Sequence, residues 1–466
     1  MTSKVLSRID EYFGFAEAGT NLRTETIAGA TTFMTMAYII VVNPAILSNA
    51  AGARMNFGAV MTATCVASAF ATLLMAVLAR YPIALAPGMG LNAFFSFEVC
   101  NFIAGLQARG EVAGGVAPWQ IALGMVFISG FVFTALTFLK VREMIIHAVP
   151  ECLKHGIAGG IGLFIAFIGL EEAGLIADHP VTFVQLGSVT SAPTLLALVG
   201  LAITAILMAR RVRGAIFLGI VATGLLGIPL GIVEFGGVIS TPPSPSAFAK
   251  LRINDALVFP LIAPILMMLF VDMFDTIGTL IGVAGQGGFL RDGRLPRATR
   301  ALTADALGTV FGSIAGTSTV TSYIESAAGV SEGGRTGFAS VVTAGLFLLA
   351  LFFSPLVTMF GASVPSPLNP EIYLRPVTAP ALILVGFLML RTVRQIAWDD
   401  VTEGFPAFVT IIAMPLTFSI ATGFSAGFVA YPLVKTAAGK AREVHPLAWA
   451  LAALFLARYV FLPIRL

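Results

Sequence analysis

Apolar stretches long enough to cross a bilayer recur from Thr26 to the C-terminal end of the chain, and no other feature constrains it as much. Spanning the hydrocarbon core takes about 20 apolar residues in a helix, whose backbone satisfies itself where no water reaches. Only 11% of the 466 residues are charged and 57% are hydrophobic, whereas a soluble chain carries about 25% charged residues. The fold class this dictates is an all-α polytopic membrane protein. Spans are expected near 26–48, 58–79, 88–104, 117–139, 155–173, 191–209, 214–232, 257–284, 301–315, 323–332, 337–360, 377–390, 403–420 and 422–437. Of the 27 Lys and Arg, 22 fall on one side of that map, Lys140, Arg142, Arg291 and Arg294 among them. The other five are Arg54, Arg109, Lys250, Arg252 and Arg375. The positive-inside rule then puts both termini in the cytoplasm.

The ends and the cysteines carry less. Residues 1–25 are polar, with Lys4, Arg8 and Arg23, and do not form a cleavable signal peptide, so Thr26 opens a retained span. His445–Pro463 is apolar, short and interrupted by Arg458; an interfacial helix and a further crossing both fit it. Cys65, Cys100 and Cys152 have no metal-like spacing and read as small packing residues.

Three stretches break the apolar pattern. Gly316–Gly337 opens with Thr317, Ser318, Thr319, Thr321 and Ser322, places a carboxylate at Glu325, and lies between the apolar runs Ala301–Ala315 and Phe338–Phe353. Alternating Thr and Val suit a short extended segment, and Ser326-Ala327-Ala328 suits a helix start, which puts Glu325 where free N–H groups favour an anion. A polar loop between two helices is the plainer alternative. Residues 82–104 form a counterpart: a proline- and glycine-interrupted entry, then Asn92 opening a helix. Phe138–Pro150 likewise resembles Phe353–Pro365. Interrupted spans at matching places in two halves point to an inverted-repeat transporter with its site at mid-membrane.

In Leu269–Gly282, Asp272, Asp275, Thr276 and Thr279 fall at i, i+3, i+4 and i+7, which reads as one helix face. Gly278 and Gly282 form a small-xxx-small pair expected to admit a close helix. A mid-span carboxylate costs about 2.5–3.5 kcal/mol on the insertion scale, so two within a turn call for a function, or for a polar seam between helices. In the first span Thr31, Thr35 and Tyr38 line one face, and Asn43-Pro44 breaks the helix. Structural support and ligand contact suit them equally.

The motifs T-M-A-Y-I-I-V-V-N-P at 35–44, A-P-G-M-G-L-N-A-F-F at 86–95, F-D-T-I-G-T-L-I-G at 274–282 and T-S-T-V-T-S-Y-I-E-S-A-A-G-V-S-E-G-G-R-T-G at 317–337 together carry a resemblance. The chain, from about Tyr12 to about Pro446, resembles the hypoxanthine/guanine/adenine (AzgA-like) branch of the nucleobase–cation symporter 2 family. That resemblance implies 14 transmembrane helices as a 7+7 inverted repeat with helices 3 and 10 interrupted. It implies a cytoplasmic segment 1–25, a core domain at 26–139 and 257–360, a gate domain at 140–256 and 361–442, and an apolar tail at 443–466. It also implies proton coupling, an elevator-like movement of core past gate, and homodimers joined through the gate. Asp275, Glu325, Asn92 and the preceding Gly90 match the family's site positions, and Asp399 and Asp400 match an acidic motif of this branch.

The residue chemistry agrees. A purine base is flat and neutral, with N–H donors and ring acceptors along its edge. A carboxylate accepts adjacent N–H groups bidentately, and an amide both donates and accepts. Asp275, Glu325, Asn92, Gly90, Phe94, Phe274, Tyr323 and Thr279 are the candidate substrate contacts. Stacking on aromatics such as Phe94, Phe95, Phe274 or Tyr323 is worth ~1–3 kcal/mol per base, although each ring fits core packing as well. No Lys, Arg or His precedes Arg335 in these motifs, which disfavours nucleotides and other anions. Two carboxylates sharing a water-poor cavity tend to hold one proton between them, so Asp275, Glu325 and Asp272 are the candidate proton-coupling groups. Asp272 and Asp305 alternatively pin core helices together.

The expected partners are a small purine base, a proton, membrane lipid and a second copy, with no cofactor, metal or nucleic acid, in the cytoplasmic membrane. His147, His155, His179 and His445 are too scattered for an enzyme, and the polarity is too localised for a channel. A permease of the same fold for uracil or xanthine is the nearest rival.

Overall fold

The computed structural model describes residues 10–49, 53–138, 149–291, 295–369 and 372–461. The expectations on Lys4, Arg8, Lys140, Arg142, His147, Arg294 and most of Phe138–Pro150 fall outside the described residues. The first apolar segment is two helices, α1 (Leu22–Met36) and α2 (Ile39–Asn49), broken at Ala37-Tyr38. Next come α3 (Phe57–Ala79), strand β1 (Leu85–Pro87), α4 (Met89–Ala108), α5 (Pro118–Phe138) and α6 (Glu151–Glu172). A hairpin, β2 (Ile176–His179) with β3 (Phe183–Leu186), leads to α7 (Ala192–Ala209) and α8 (Ala215–Gly227). Then α9 (Phe259–Gly287), α10 (Ala298–Ala315), β4 (Val320–Ser322), α11 (Ser326–Ser331) and α12 (Gly337–Phe360) follow. The chain closes with β5 (Val364–Pro365), β6 (Tyr373–Leu374), α13 (Ala379–Met389), α14 (Val401–Leu416), α15 (Ile420–Ala437) and α16 (Pro446–Phe461).

Among the described residues, eight helices are long and apolar enough to cross a membrane. The fold is a mostly helical polytopic membrane protein. The all-α expectation needs correction, because three two-stranded antiparallel pairs accompany the helices. The apolar tail forms a helix, α16, whose Phe455 packs edge-on against Phe424 and Phe428 of α15.

The pair β1–β4 sits at the centre of the fold. Helices α3–β1–α4 and α10–β4–α11 each break in mid-course, which exposes backbone groups that have no water to bond. Each break satisfies the other: Leu85 faces Ser322, Ala86 faces Thr321 and Pro87 faces Val320. The ladder extends symmetrically, Gly88 N–H donating to Thr319 C=O at 3.0 Å and Tyr323 N–H to Ala84 C=O at 3.0 Å. Alternate residues of such a pair turn their N–H groups away from the partner, and Pro87, which has none, occupies such a place. The outward groups of the two first residues are met by two threonines in matching fashion. Leu85 N–H donates to Thr72 Oγ1 at 2.9 Å, and that hydroxyl donates to Leu85 C=O at 3.1 Å. Val320 N–H donates to Thr309 Oγ1 at 3.2 Å, and that hydroxyl donates to Val320 C=O at 2.8 Å.

The motif after β4 is held from the other end. Glu25, fully buried in α1, accepts N–H donation from Arg335 at 2.7 Å, Thr336 at 3.2 Å and Ala339 at 3.2 Å, capping α12. The Arg335 guanidinium donates to Val330 C=O at 2.6 Å and Gly334 C=O at 2.8 Å, closing α11. A side chain at Gly329 would lie 2.4 Å from Ala28 O, so this glycine lets α11 touch α1.

If the two threonines do equivalent work, Thr72→Val and Thr309→Val each strand a buried N–H. The cost is roughly 1–3 kcal/mol. Thermal unfolding in lipid nanodiscs is expected to show similar downward shifts for both, and a loss in only one would show that the two halves are not equivalent.

Candidate functional site

Glu325 immediately precedes α11, as the sequence implies, and is half-buried. Its Oε1 accepts a hydrogen bond from the Tyr38 hydroxyl at 2.7 Å, and its carbonyl accepts one from Thr35 Oγ1 at 3.3 Å. The break at Ala37-Tyr38 is thus where α1 and α2 reach the second interrupted span. Asp275 lies on α9 within electrostatic range of Glu325, Tyr38 and Tyr323. It is exposed, and among the described residues it makes no side-chain hydrogen bond. Facing lipid would be costly for a carboxylate in so open a position, which favours an aqueous vestibule there.

The α9 residues expected on one face divide between two stripes. Asp272 and Thr276 are fully buried, whereas Asp275 is exposed and Thr279 half-buried. Thr276 donates to Asp305 Oδ2 at 2.9 Å and lies 2.8 Å from the Thr321 hydroxyl, while Ser322 donates to Asp305 Oδ1 at 3.1 Å. Asp272 receives Thr309 Oγ1 at 3.5 Å. The Asp272–Asp305 pair therefore belongs to the packing of α9, α10 and β4, and Asp272 is not brought to the Asp275–Glu325 side. Among the described residues no helix packs closely against both Gly278 and Gly282. Nothing lies within 4 Å of a side chain built at Gly278, and only Ile324 (3.2 Å) meets one at Gly282. These glycines floor an open surface beneath Asp275 instead of a helix contact.

The remaining candidates are divided. Asn92 is fully buried in the first turns of α4; its Oδ1 accepts from the Ser318 hydroxyl and its Nδ2 has no hydrogen-bond partner. An unpartnered amide at the join of the two broken spans is a donor waiting for an acceptor. Gly90 packs against α6, for an added side-chain carbon would sit 2.5 Å from Ile161. Counting along the ladder also makes Gly90, rather than Asn92, the equivalent of Glu325. Tyr323 is buried, and its hydroxyl donates to Pro87 C=O at 2.5 Å. Phe94 is buried where α4 passes into a π-helical turn, and Phe274 is half-buried and stacked 6.3 Å from Phe270.

Asp400 does not join the site: it caps α14 and pairs with Lys440 at 3.1 Å. The Thr402 hydroxyl and N–H, then Lys440, hold its carboxyl down at about 2. A separate cavity lined by Glu171, Asp178 and Thr194 lies beside β2, and its lining includes none of the central acids.

The role of Tyr38 was not apparent from sequence spacing alone; its place on one face with Thr35 was the available signal. Ser318 as the partner of Asn92 had no such signal.

The sequence matches the Permease family over residues 23–426. The guanine/hypoxanthine permease PbuG of Bacillus subtilis is 45% identical over 462 residues, 97% of this chain and 99% of that protein. The adenine permease AdeP of Escherichia coli is 41% identical over 456 residues, 97% of this chain and 96% of that one. Among solved structures, the transmembrane domain of the cyanobacterial bicarbonate transporter BicA matches with a TM-score of 0.63 at 15% identity, covering 86% of this chain and 97% of that chain. Murine solute carrier 26 family member A9, an anion transporter captured in the inward-facing state, matches at 0.60 and 12% identity, over 90% and 69%. These two share the fold. The chain belongs to the nucleobase–cation symporter 2 permease family, as its motifs led one to expect; it is a transmembrane transport protein and not an enzyme.

If the α9 surface is a water-filled vestibule, Gly278→Cys and Gly282→Cys should react rapidly with a charged methanethiosulfonate reagent. Ser313→Cys, in the packed core, should not. Gly278→Cys reacting as slowly as Ser313→Cys would mean that this surface faces lipid.

Proposed function

We propose that this member of the nucleobase–cation symporter 2 family carries purine nucleobases (hypoxanthine, guanine or adenine) inward across the cytoplasmic membrane together with a proton. The observation that carries this reading is the meeting of Asp275 and Glu325 at one open surface, with the amide of Asn92 at the adjoining strand pair. Two carboxylates suit the paired N–H groups of a neutral purine edge, and the four motifs contain no cation ahead of Arg335 for a phosphate. The names of the near-full-length relatives PbuG and AdeP support the same cargo.

The two acids take different parts. Tyr38 fixes the orientation of Glu325, which suits a group that stays ionised and grips the ring N–H pair. Asp275 is exposed and, among the described residues, makes no side-chain hydrogen bond, which suits a group that takes up and releases the proton. Asp272 is the lesser candidate for that task, being packed against Thr309. Movement follows an alternating-access scheme in which a core (26–139 and 257–360) is displaced against a gate (140–256 and 361–442). A fourteen-span inverted repeat is supported by the matched Thr72–Leu85 and Thr309–Val320 bonds on either side of a two-fold ladder. Both termini lie in the cytoplasm in this reading, and the molecule pairs through its gate into a homodimer surrounded by lipid.

Hypoxanthine binding to purified variants and proton-driven uptake in vesicles test the assignment together. Losing one charge-assisted hydrogen bond costs roughly 1.5–3 kcal/mol, or about one to two decades in affinity, so Glu325→Gln should chiefly weaken binding. Asp275→Asn should retain base binding and exchange but lose accumulation against a gradient. Accumulation with a cotransported proton in Asp275→Asn would refute its role. Hypoxanthine should also outcompete inosine, uracil and xanthine; equal transport of inosine would refute the compact purine site.

A further inference from the structure

We propose that Glu98 and Arg375 are two latches that hold core and gate together at the outer end of the molecule, and so keep it open to the cytoplasm. The inference rests on the moving-bundle reading above. Glu98 lies on the π-helical turn of α4, in the core. Its Oε1 accepts from the Ser419 hydroxyl at 2.8 Å and its Oε2 from the Ala421 N–H at 3.2 Å, so it seizes the start of the gate helix α15. Arg375 reaches the opposite way. It lies at the gate entry to α13, its N–H donating to Glu172 C=O at 2.8 Å at the end of α6. Its guanidinium donates to the Ala45 carbonyl and to Ser48 Oγ at 3.5 Å, on the core helix α2.

The two latches work at one level. Ser96, two residues before Glu98, donates to Ile46 C=O at 2.9 Å, which braces their core ends together. Next to the Glu98 contact, Phe418 adopts a left-handed conformation (φ 48°), with its ring 5.9 Å from Phe97 of α4 and 5.1 Å from Phe164 of α6. The end beyond Asp275 is the reverse: Gly278, Ile281, Gly282 and Gly285 of α9 are all exposed. One end is closed by charged groups and rings, and the other is open.

The latches are built to release. Across the interface Glu98 accepts from a hydroxyl and a backbone N–H, and Arg375 donates to a carbonyl and a hydroxyl, groups whose bonds water can replace; the Glu172 carboxylate, on the same side as Arg375, stays within electrostatic range of it. Arg375 is 94% removed from solvent in the sense that only 6% of its surface remains exposed, yet its Nε finds no hydrogen-bond partner. Such a guanidinium is incompletely satisfied in this conformation, as befits a group with a second arrangement.

Spin labels at Gly114→Cys, on an exposed core loop, and Val181→Cys, on the gate hairpin, report the distance across the outer end, with the three buried native cysteines left in place. Double electron–electron resonance on nanodisc-embedded protein, with and without saturating hypoxanthine, is expected to show one dominant distance in the parent. Glu98→Ala or Arg375→Gln should each raise the ratio of a second distance about tenfold, at an unchanged thermal midpoint, with Glu98→Gln intermediate. If hypoxanthine moves the distance in the parent but both variants match the parent, the latches are wrong while the moving bundle stands. A distance fixed in every sample that still transports in vesicles overturns the moving bundle and the latches with it.

Discussion

Everything in this molecule depends on a six-residue solution to a backbone problem. Two chain segments abandon the helix in the middle of an apolar bundle, where an unsatisfied N–H or C=O costs several kcal/mol. They are tolerable only because β1 and β4 complete each other's hydrogen bonds, and because Thr72 and Thr309 take the groups that point outward. The gain is geometric. Helices that restart after the strand pair bring Glu325 and Asn92 to the join of the two broken spans.

The surroundings of that ladder fall into a rigid part and an open part. Asp305, Thr276, Thr321 and Ser322 form a continuous polar seam that fixes α9 and α10 to β4. Glu25 and Arg335 do the same for α1, α11 and α12. Against this framework stand Asp275 and the glycines below it, where packing is deliberately missing. An exposed carboxylate and a second one clamped by Tyr38 make an asymmetric pair, and under the proposed function that asymmetry would let one acid exchange a proton while its neighbour keeps hold of a base.

The sequence made some of this plain and hid the rest for identifiable reasons. Apolar runs separated by charged loops located the helical segments because a bilayer-length pattern repeats many times. The change from alternating Thr and Val to Ser326-Ala327-Ala328 announced a strand turning into a helix at Glu325, and the structure has it so. The partner of that strand was hidden, since three residues are too few for a period of two to show. Asp272 and Asp275 were read as one face because three residues make slightly less than a turn; tertiary packing set one in the core and the other at the opening. Gly278 and Gly282 have the spacing of a helix contact, and only the fold reveals that nothing fills it. Glu25 was invisible as a structural group because it accepts from backbone N–H groups, which leave no trace in side-chain spacing, and Glu98 because its partners Ser419 and Ala421 lie more than 300 residues away in sequence.

The central claim is that a purine base rests where the two broken spans meet, between Asp275 and Glu325. Photocrosslinking with a tritiated azidopurine that competes with hypoxanthine, followed by peptide mapping, addresses it most directly. The account predicts label within residues 85–95, 274–282 and 317–326, abolished by excess hypoxanthine. Competable label confined to the separate cavity around Glu171 and Asp178, with none on those three segments, would contradict it.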